Sequence, residues 1–254
     1  MLNKILKFTL PSVALSLIPG LAFAANLEPN DPVGITFWVI SIAMVAATVF
    51  FLMEATRVDG KWRTSMIVGG LVTLVAAVHY FYMRDVWVAT GASPTVFRYV
   101  DWLITVPLQM IEFYLILAAC AAISAGVFWR LLVGTLIMLL GGYLGEAGFI
   151  NATIGFVIGM AGWAYILYEI FAGEAGKVAA DSAPESVQSS FSTMRWIVTI
   201  GWAIYPLGYF LGYLNQGVDA NTLNIIYNIA DVLNKIGFCL AIWACATAES
   251  KTAK

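Results

Sequence analysis

Apolar residues fill this chain in long blocks, and polar residues are confined to short stretches between them. Val33 to Met53 and Thr64 to Met83 carry no Asp, Glu, Lys or Arg. Pro94 to about Ala119 is apolar apart from Arg98, Asp101 and Glu112. Further blocks run from about Val127 to Glu146, from about Ala152 to Tyr168 and within Trp196 to Val218. The last, about Thr222 to Ala246, is broken only by Asp231 and Lys235. A helix needs about 20 such residues to cross the hydrocarbon core. No block alternates apolar and polar positions as the strands of a membrane barrel do. The pattern predicts an all-α bundle of seven transmembrane helices. Gly173 to Gln188, rich in Gly, Ala, Ser and Pro, is predicted as the one long loop.

The first apolar block differs from these. Lys4 and Lys7 precede the run Phe8 to Phe23, which is punctuated by Pro11 and Pro19 and ends in Ala22-Phe23-Ala24. A basic start, a short apolar run and a small-x-small site predict a cleavable signal peptide over residues 1–24. Residues 25–254 are then the membrane domain, with its N-terminus outside and its C-terminus in the cytoplasm. Basic residues test that orientation. The predicted cytoplasmic side holds Arg57, Lys61, Arg63, Arg130, Lys177, Arg195, Lys251 and Lys254, and the opposite side only Arg84. Cytoplasmic loops are the ones enriched in Lys and Arg, so the bias supports both the count and the direction.

Composition narrows the class. Of 254 residues, 61% are hydrophobic and 11% charged, and the mean hydropathy is +0.86. A soluble domain of this size would need far more charge on its surface. The net charge of −2, with no basic stripe, gives no sign of a nucleic-acid partner. Cys120, Cys239 and Cys245 are odd in number and lie in or beside apolar segments, so they predict neither a disulfide framework nor a metal site. His79 is the only histidine, which argues against a multi-histidine metal site.

The chemistry lies in the charges inside the spans, which are costly in a bilayer and mark functional sites by default. Asp231 and Lys235 share a face one turn apart on helix 7, and Arg98 and Asp101 are three residues apart on helix 3. Asp101 and Glu112 return to nearly the same face, separated by roughly 16 Å along the axis. The topology orders them: Lys235 near mid-membrane, Asp231 and Asp101 outward of it, Arg98 further out, Glu112 inward. A lysine with carboxylates on both sides suits a directional proton relay. The same residues could instead be an ion-pair network that fixes helix packing.

These stretches resemble a microbial rhodopsin, and closely the proteorhodopsins. The resemblance covers essentially the whole mature chain. It rests on RYVDWLITVPLQ from Arg98 to Gln109, EFYLIL from Glu112 to Leu117, GWAIYP from Gly201 to Pro206 and DVLNK from Asp231 to Lys235. It implies all-trans retinal carried by Lys235 as a protonated Schiff base. Asp101 is then the counterion and primary proton acceptor, Asp231 the second counterion, Arg98 a residue holding the counterion complex, and Glu112 the internal donor. The triplet Asp101, Thr105 and Glu112 is neither the family's Asn-Asp-Gln sodium-pump pattern nor a chloride pattern, which lacks the acceptor carboxylate.

Other family positions match too. His79 falls at the depth of Asp101 and is expected to couple to it, or else to bond a backbone carbonyl as a packing histidine. Gln109 occupies the family's colour-selecting position, where Gln implies a blue-absorbing form. Trp202, Tyr205 and Tyr209 share a face of helix 6 with Pro206 among them, and with Trp102, Met138 and Trp163 they match the retinal pocket. Pro206 could also kink helix 6. Trp38 matches a position near subunit contacts, and a pentamer or hexamer is the assembly the resemblance implies. Glu146 has no role readable from the sequence.

The expected function is a light-driven outward proton pump, a transporter rather than an enzyme, spanning the cytoplasmic (inner) membrane of a bacterium among its lipids. Two other readings stay open. A light sensor signalling to a partner uses the same fold, although Glu112 argues against it. A non-retinal proton-coupled transporter would need a second polar cavity or an inverted repeat, and neither is visible in the sequence.

Overall fold

The computed structural model describes residues 28–215 and 217–252. The signal peptide expected over residues 1–24 lies outside the described residues. Seven helices are long and apolar enough to cross a membrane: α1 (Pro32–Glu54), α2 (Gly60–Thr90), α3 (Thr95–Ala118), α4 (Ala125–Glu146), α5 (Ala152–Ser182), α6 (Glu185–Leu214) and α7 (Ala220–Lys251). No strand occurs among the described residues.

Local chemistry sets the helix starts and stops. Asp31 caps α1 by accepting from Gly34 N at 2.9 Å, with Pro32 in the first turn, where its missing N–H costs nothing. Asn151 caps α5 and Asp219 caps α7, each satisfying amides that the helix itself leaves unpaired. On Asp219, bonds from the Thr222 amide and hydroxyl hold the carboxyl below the usual carboxylate range. Gly91 ends α2 with φ 64°, the left-handed conformation that suits a residue without a Cβ, and its N–H returns to Trp87 O at 2.7 Å.

Consecutive helices from α1 to α5 pack side by side, and α7 lies against both α6 and α1, closing the ring. The polarity is that of a membrane bundle. Val39, Val78, Val157, Ile200 and Leu233 point outward, whereas Arg98, Asp101, Glu112, Asp231 and Lys235 are buried within. Between α1 and α2 the buried Thr48 and Thr73 hydroxyls bond to each other at 2.9 Å, as polar groups in such bundles do.

Two boundaries differ from the sequence expectation. Gly173 to Gln188 is not one long loop: helix continues over Glu174–Ser182 and resumes at Glu185, with a turn at Ala183 and Pro184. The segment EAGKVAAD holds good helix formers. Arg130 of α4 anchors it, donating to Glu169 at 2.8 and 3.1 Å and to Glu174 at 2.8 Å. The second difference is in α2, which continues past Met83 to Thr90 and so carries Arg84 as a buried helix residue.

Helices α6 and α7 are not regular. Each contains wide π turns, Ile197–Gly201 and Phe210–Leu214 in α6 and Val232–Gly237 in α7. The proline expected to kink α6, Pro206, lies between its two π turns, in the short α-helical stretch Ile204–Tyr209. Such turns cluster at functional sites because they displace side chains and free backbone carbonyls.

Candidate functional site

Lys235 sits inside the π turn of α7, and among the described residues it is the one buried lysine. Its Nζ donates to Asp231 Oδ2 at 2.9 Å and also to Asp101 Oδ2 on α3. Removing one partner of a buried pair costs about 3–5 kcal/mol, because a charge is left unpaired. The two carboxylates therefore hold the amine at a fixed point between α3 and α7.

They are not equivalent. Asp231 Oδ1 accepts from the Tyr205 hydroxyl at 2.5 Å, and its Oδ2 accepts from the Tyr80 hydroxyl at 2.7 Å as well as from Lys235. Asp101 bonds Lys235 through Oδ2, while its Oδ1 is buried with no hydrogen-bond partner among the described residues. Three donors thus secure the anion of Asp231, and one secures that of Asp101.

Arg98 does not bond either carboxylate directly. Its Nη2 donates to Asn224 Oδ1 at 2.9 Å and Asn228 Oδ1 at 3.1 Å, both on α7, and its Nη1 to Tyr80 OH at 3.4 Å. Tyr80 therefore links the guanidinium to Asp231. The guanidinium also stacks over Phe37 and Tyr227. Asn228 in turn donates to Thr36 of α1 at 3.0 Å. Tyr80 has no signal in the sequence, but the two asparagines do. Asn224, Asn228, Asp231 and Lys235 recur at spacings of four, three and four residues, a polar stripe along one face of α7.

From Lys235 an apolar cavity runs between the helices. Trp102, Gln109, Met138, Trp163, Trp202, Tyr205, Pro206 and Tyr209, all expected at the pocket, line it together with Asp231 and Lys235. Thr105 does not: its hydroxyl turns back to Asp101 O at 3.0 Å on its own helix. Trp102 meets Tyr205 edge-on at 5.0 Å, and the Trp163 indole is fixed by donating to Val198 O at 3.0 Å. A slot of rigid aromatic walls ending at a buried lysine fits a long apolar aldehyde joined to that amine. The residues present therefore fit retinal.

Glu146, which the sequence left without a role, lines the same cavity and accepts from Tyr99 OH at 3.0 Å. Glu112 lies apart from the cavity, fully buried nearer the other end of α3. Neither of its oxygens meets a donor at hydrogen-bonding geometry, although the buried Ser65 hydroxyl of α2 faces it. His79 is half-buried, and its Nδ1 lies 2.9 Å from Val75 O of its own helix. That is the packing bond weighed in the sequence reading, and it leaves Nε2 as the nitrogen able to act elsewhere. Trp38 packs edge-on against Phe81 at 5.8 Å, with the Arg84 guanidinium over its ring.

Seven helices around a buried lysine, two carboxylates and an aromatic slot define a retinal protein of the rhodopsin class, and comparison with known proteins agrees. The model of the bacteriorhodopsin-like protein family matches residues 31–249, and the chain belongs to that family. It is 52% identical to the blue-light absorbing proteorhodopsin of Gamma-proteobacterium Hot 75m4 over 93% of this chain and 95% of that one. It is 53% identical to the green-light absorbing proteorhodopsin of Gamma-proteobacterium EBAC31A08 over 91% of this chain and 93% of that one. The crystal structure of the blue light-absorbing proteorhodopsin from Med12 superposes with a TM-score of 0.76 at 52% identity, covering 86% of this chain and all of the other. The protein is a multi-pass membrane protein.

Proposed function

We propose that this protein is a light-driven outward proton pump of a bacterial inner membrane, with the amino-terminal end of the bundle outside. One observation carries the reading: the Lys235 nitrogen is bonded to two carboxylates toward one end, and the isolated buried carboxyl of Glu112 lies toward the other. The likeness to light-absorbing proteorhodopsins supports its light-driven part, and the bias of basic residues toward the carboxy-terminal end supports its direction.

Bound at Lys235, retinal supplies the absorption of light and the isomerisation that turns the Lys235 N–H. The chain's residues do the rest. Asp101 takes the proton from the Lys235 nitrogen, because its anion has the fewest competing donors, while Tyr80 and Tyr205 keep Asp231 ionised. Arg98, held back by Asn224 and Asn228, stabilises the negative charge around Asp231 through Tyr80. Glu112 holds its proton in an apolar setting, where the neutral acid is favoured over an unpaired charge, and returns it to the Lys235 nitrogen from the cytoplasmic side. A fixed carboxylate at Asp101 leaves no room for chloride as the transported ion.

The transported ion is tested in vesicles carrying the purified protein with retinal. Illumination is expected to change the internal pH to the same extent when sodium is replaced by potassium or chloride by sulfate, and an uncoupler is expected to collapse the change. A coloured protein that moves no protons would favour the light-sensor reading.

Colour and counterion tuning follow from the same site. Gln109 lies on the cavity wall with its Nε2 donating to Asn234 O at 2.7 Å, which fixes the amide dipole beside the polyene's place. The protein is expected to absorb blue light, and Gln109→Leu is expected to move the maximum to longer wavelength. An unchanged spectrum would refute the tuning role. His79 is expected to act on Asp101 through space, so His79→Asn should move the midpoint of the optical pH titration measured on purified pigment. An unmoved midpoint leaves His79 as a packing residue. A homo-oligomer of five or six copies is the assembly proposed, with Trp38, which packs against Phe81, near the subunit contact.

A further inference from the structure

Three helices meet at one residue that the proton route leaves unused. Asn234 immediately precedes Lys235 inside the π turn of α7 and lines the cavity. Its Nδ2 donates to Gly201 O at 3.0 Å and to Tyr205 OH at 3.2 Å, both on α6. Gly201 is the last residue of the first π turn of α6. The Asn234 backbone oxygen accepts from Gln109 of α3 at 2.7 Å. A Cβ built at Gly201 would run into the Asn234 carboxamide, so the glycine is what lets the two π turns approach.

The contact therefore joins the two irregular segments of the bundle to each other and to α3. Regular α-helix leaves no backbone carbonyl free for such bonds, whereas π turns release them. Buried polar groups that lose their partners in an apolar setting are strongly disfavoured. A rotation of the backbone at Lys235 must therefore either carry Gly201 with it or break the contact.

We propose that Asn234 is a positioning residue, a clasp that passes the displacement of the Lys235 segment to the π turn of α6 and so sets how fast the resting state returns after each flash. The proposal rests on the light-driven reading above. It ties the π turn over residues 197–201 of α6 to the Lys235 segment, and it gives Gln109 a mechanical link to that turn besides its tuning role.

The test uses full-length protein carrying Asn234→Ala, Gly201→Ala or both. In purified pigment, each single variant is expected to slow recovery of absorption after a flash by about tenfold, equivalent to ~1.4 kcal/mol in the barrier. The double variant is expected to be no slower than Asn234→Ala alone, because both changes break one contact from opposite sides. In retinal-free protein, amide exchange over residues 197–205 is expected to rise in each variant relative to the unmodified chain. Recovery within about twofold of the unmodified protein, or a double variant whose slowing is the product of the two singles, would overturn the clasp. If Asn234→Ala forms no pigment, Gly201→Ala and the exchange measurement decide the matter, and unchanged exchange overturns the proposal. Neither readout depends on proton transport, so failure of the clasp and failure of the pump reading are distinguishable.

Discussion

Asp101→Asn is expected to abolish light-driven proton movement and to shift absorption to longer wavelength. Both effects come from one bond. The Asp101 carboxylate bonds the Lys235 nitrogen directly, as Asp231 does, but it alone of the two has an oxygen left unpartnered to receive a proton. An amide there can donate or accept a hydrogen bond but cannot take the proton, and loss of an acid–base partner of this kind typically slows a step by about 10²–10⁴-fold. The colour change follows from charge: a carboxylate beside the nitrogen stabilises positive charge localised there in the ground state, so its removal narrows the gap to the excited state. Asp231 still neutralises Lys235 in the variant, so the pigment is expected to form. A flash-photolysis trace in which the Lys235 nitrogen still loses its proton at the unmodified rate would remove Asp101 from the acceptor role.

Glu112→Gln has the second largest expected effect, and it falls on the other half of the cycle. The first proton transfer should proceed normally, because Glu112 lies about 16 Å along α3 from Asp101 and touches neither Lys235 nor the cavity. Return of the proton to the Lys235 nitrogen should slow by about 10²-fold at neutral pH. It should also become proportional to proton concentration, falling about tenfold per pH unit, because the bulk then replaces the internal donor. In the unmodified protein this phase should be nearly independent of pH over the range in which Glu112 is reloaded quickly. A donor variant whose recovery matches the unmodified protein at every pH would assign the supply to another group. Glu112→Gln also replaces a buried carboxyl that lacks a donor at bonding geometry with an amide of nearly the same shape, so the fold is expected to tolerate it.

Much of this architecture is legible in the sequence, because a bilayer punishes deviation. Uncharged runs such as Val33 to Met53 leave little choice but a spanning helix, and charges such as Lys235 stand out against them. The same contrast hides neutral polar residues. Asn224, Asn228 and Tyr80 carry no charge, so the partners of Arg98 emerge only once the polar stripe of α7 is wound into a helix and set against α2 and α3. The role expected of Arg98 is altered accordingly, because it reaches the counterions through Tyr80. Gly173 to Gln188 misleads for the opposite reason. Its composition resembles a loop, but Arg130 and the pair Glu169 and Glu174 supply tertiary anchors that propensity cannot show. The π turns have no pattern that apolar periodicity reveals, and the approach of two of them at Gly201 and Asn234 shows only in three dimensions. Thr105 sits on the stripe of α3 that includes Asp101, Gln109 and Glu112, but its short side chain finds its own backbone before it can reach the cavity.

The central claim is that light moves protons outward through this site, and the most direct measurement is the pH of a lightly buffered suspension of cells expressing the protein with added retinal. Illumination is expected to acidify the medium. The change should vanish with an uncoupler and with Asp101→Asn, and should fall sharply with Glu112→Gln at neutral and alkaline pH. Alkalinisation of the medium, or a coloured protein that leaves the pH unmoved under light, would contradict it.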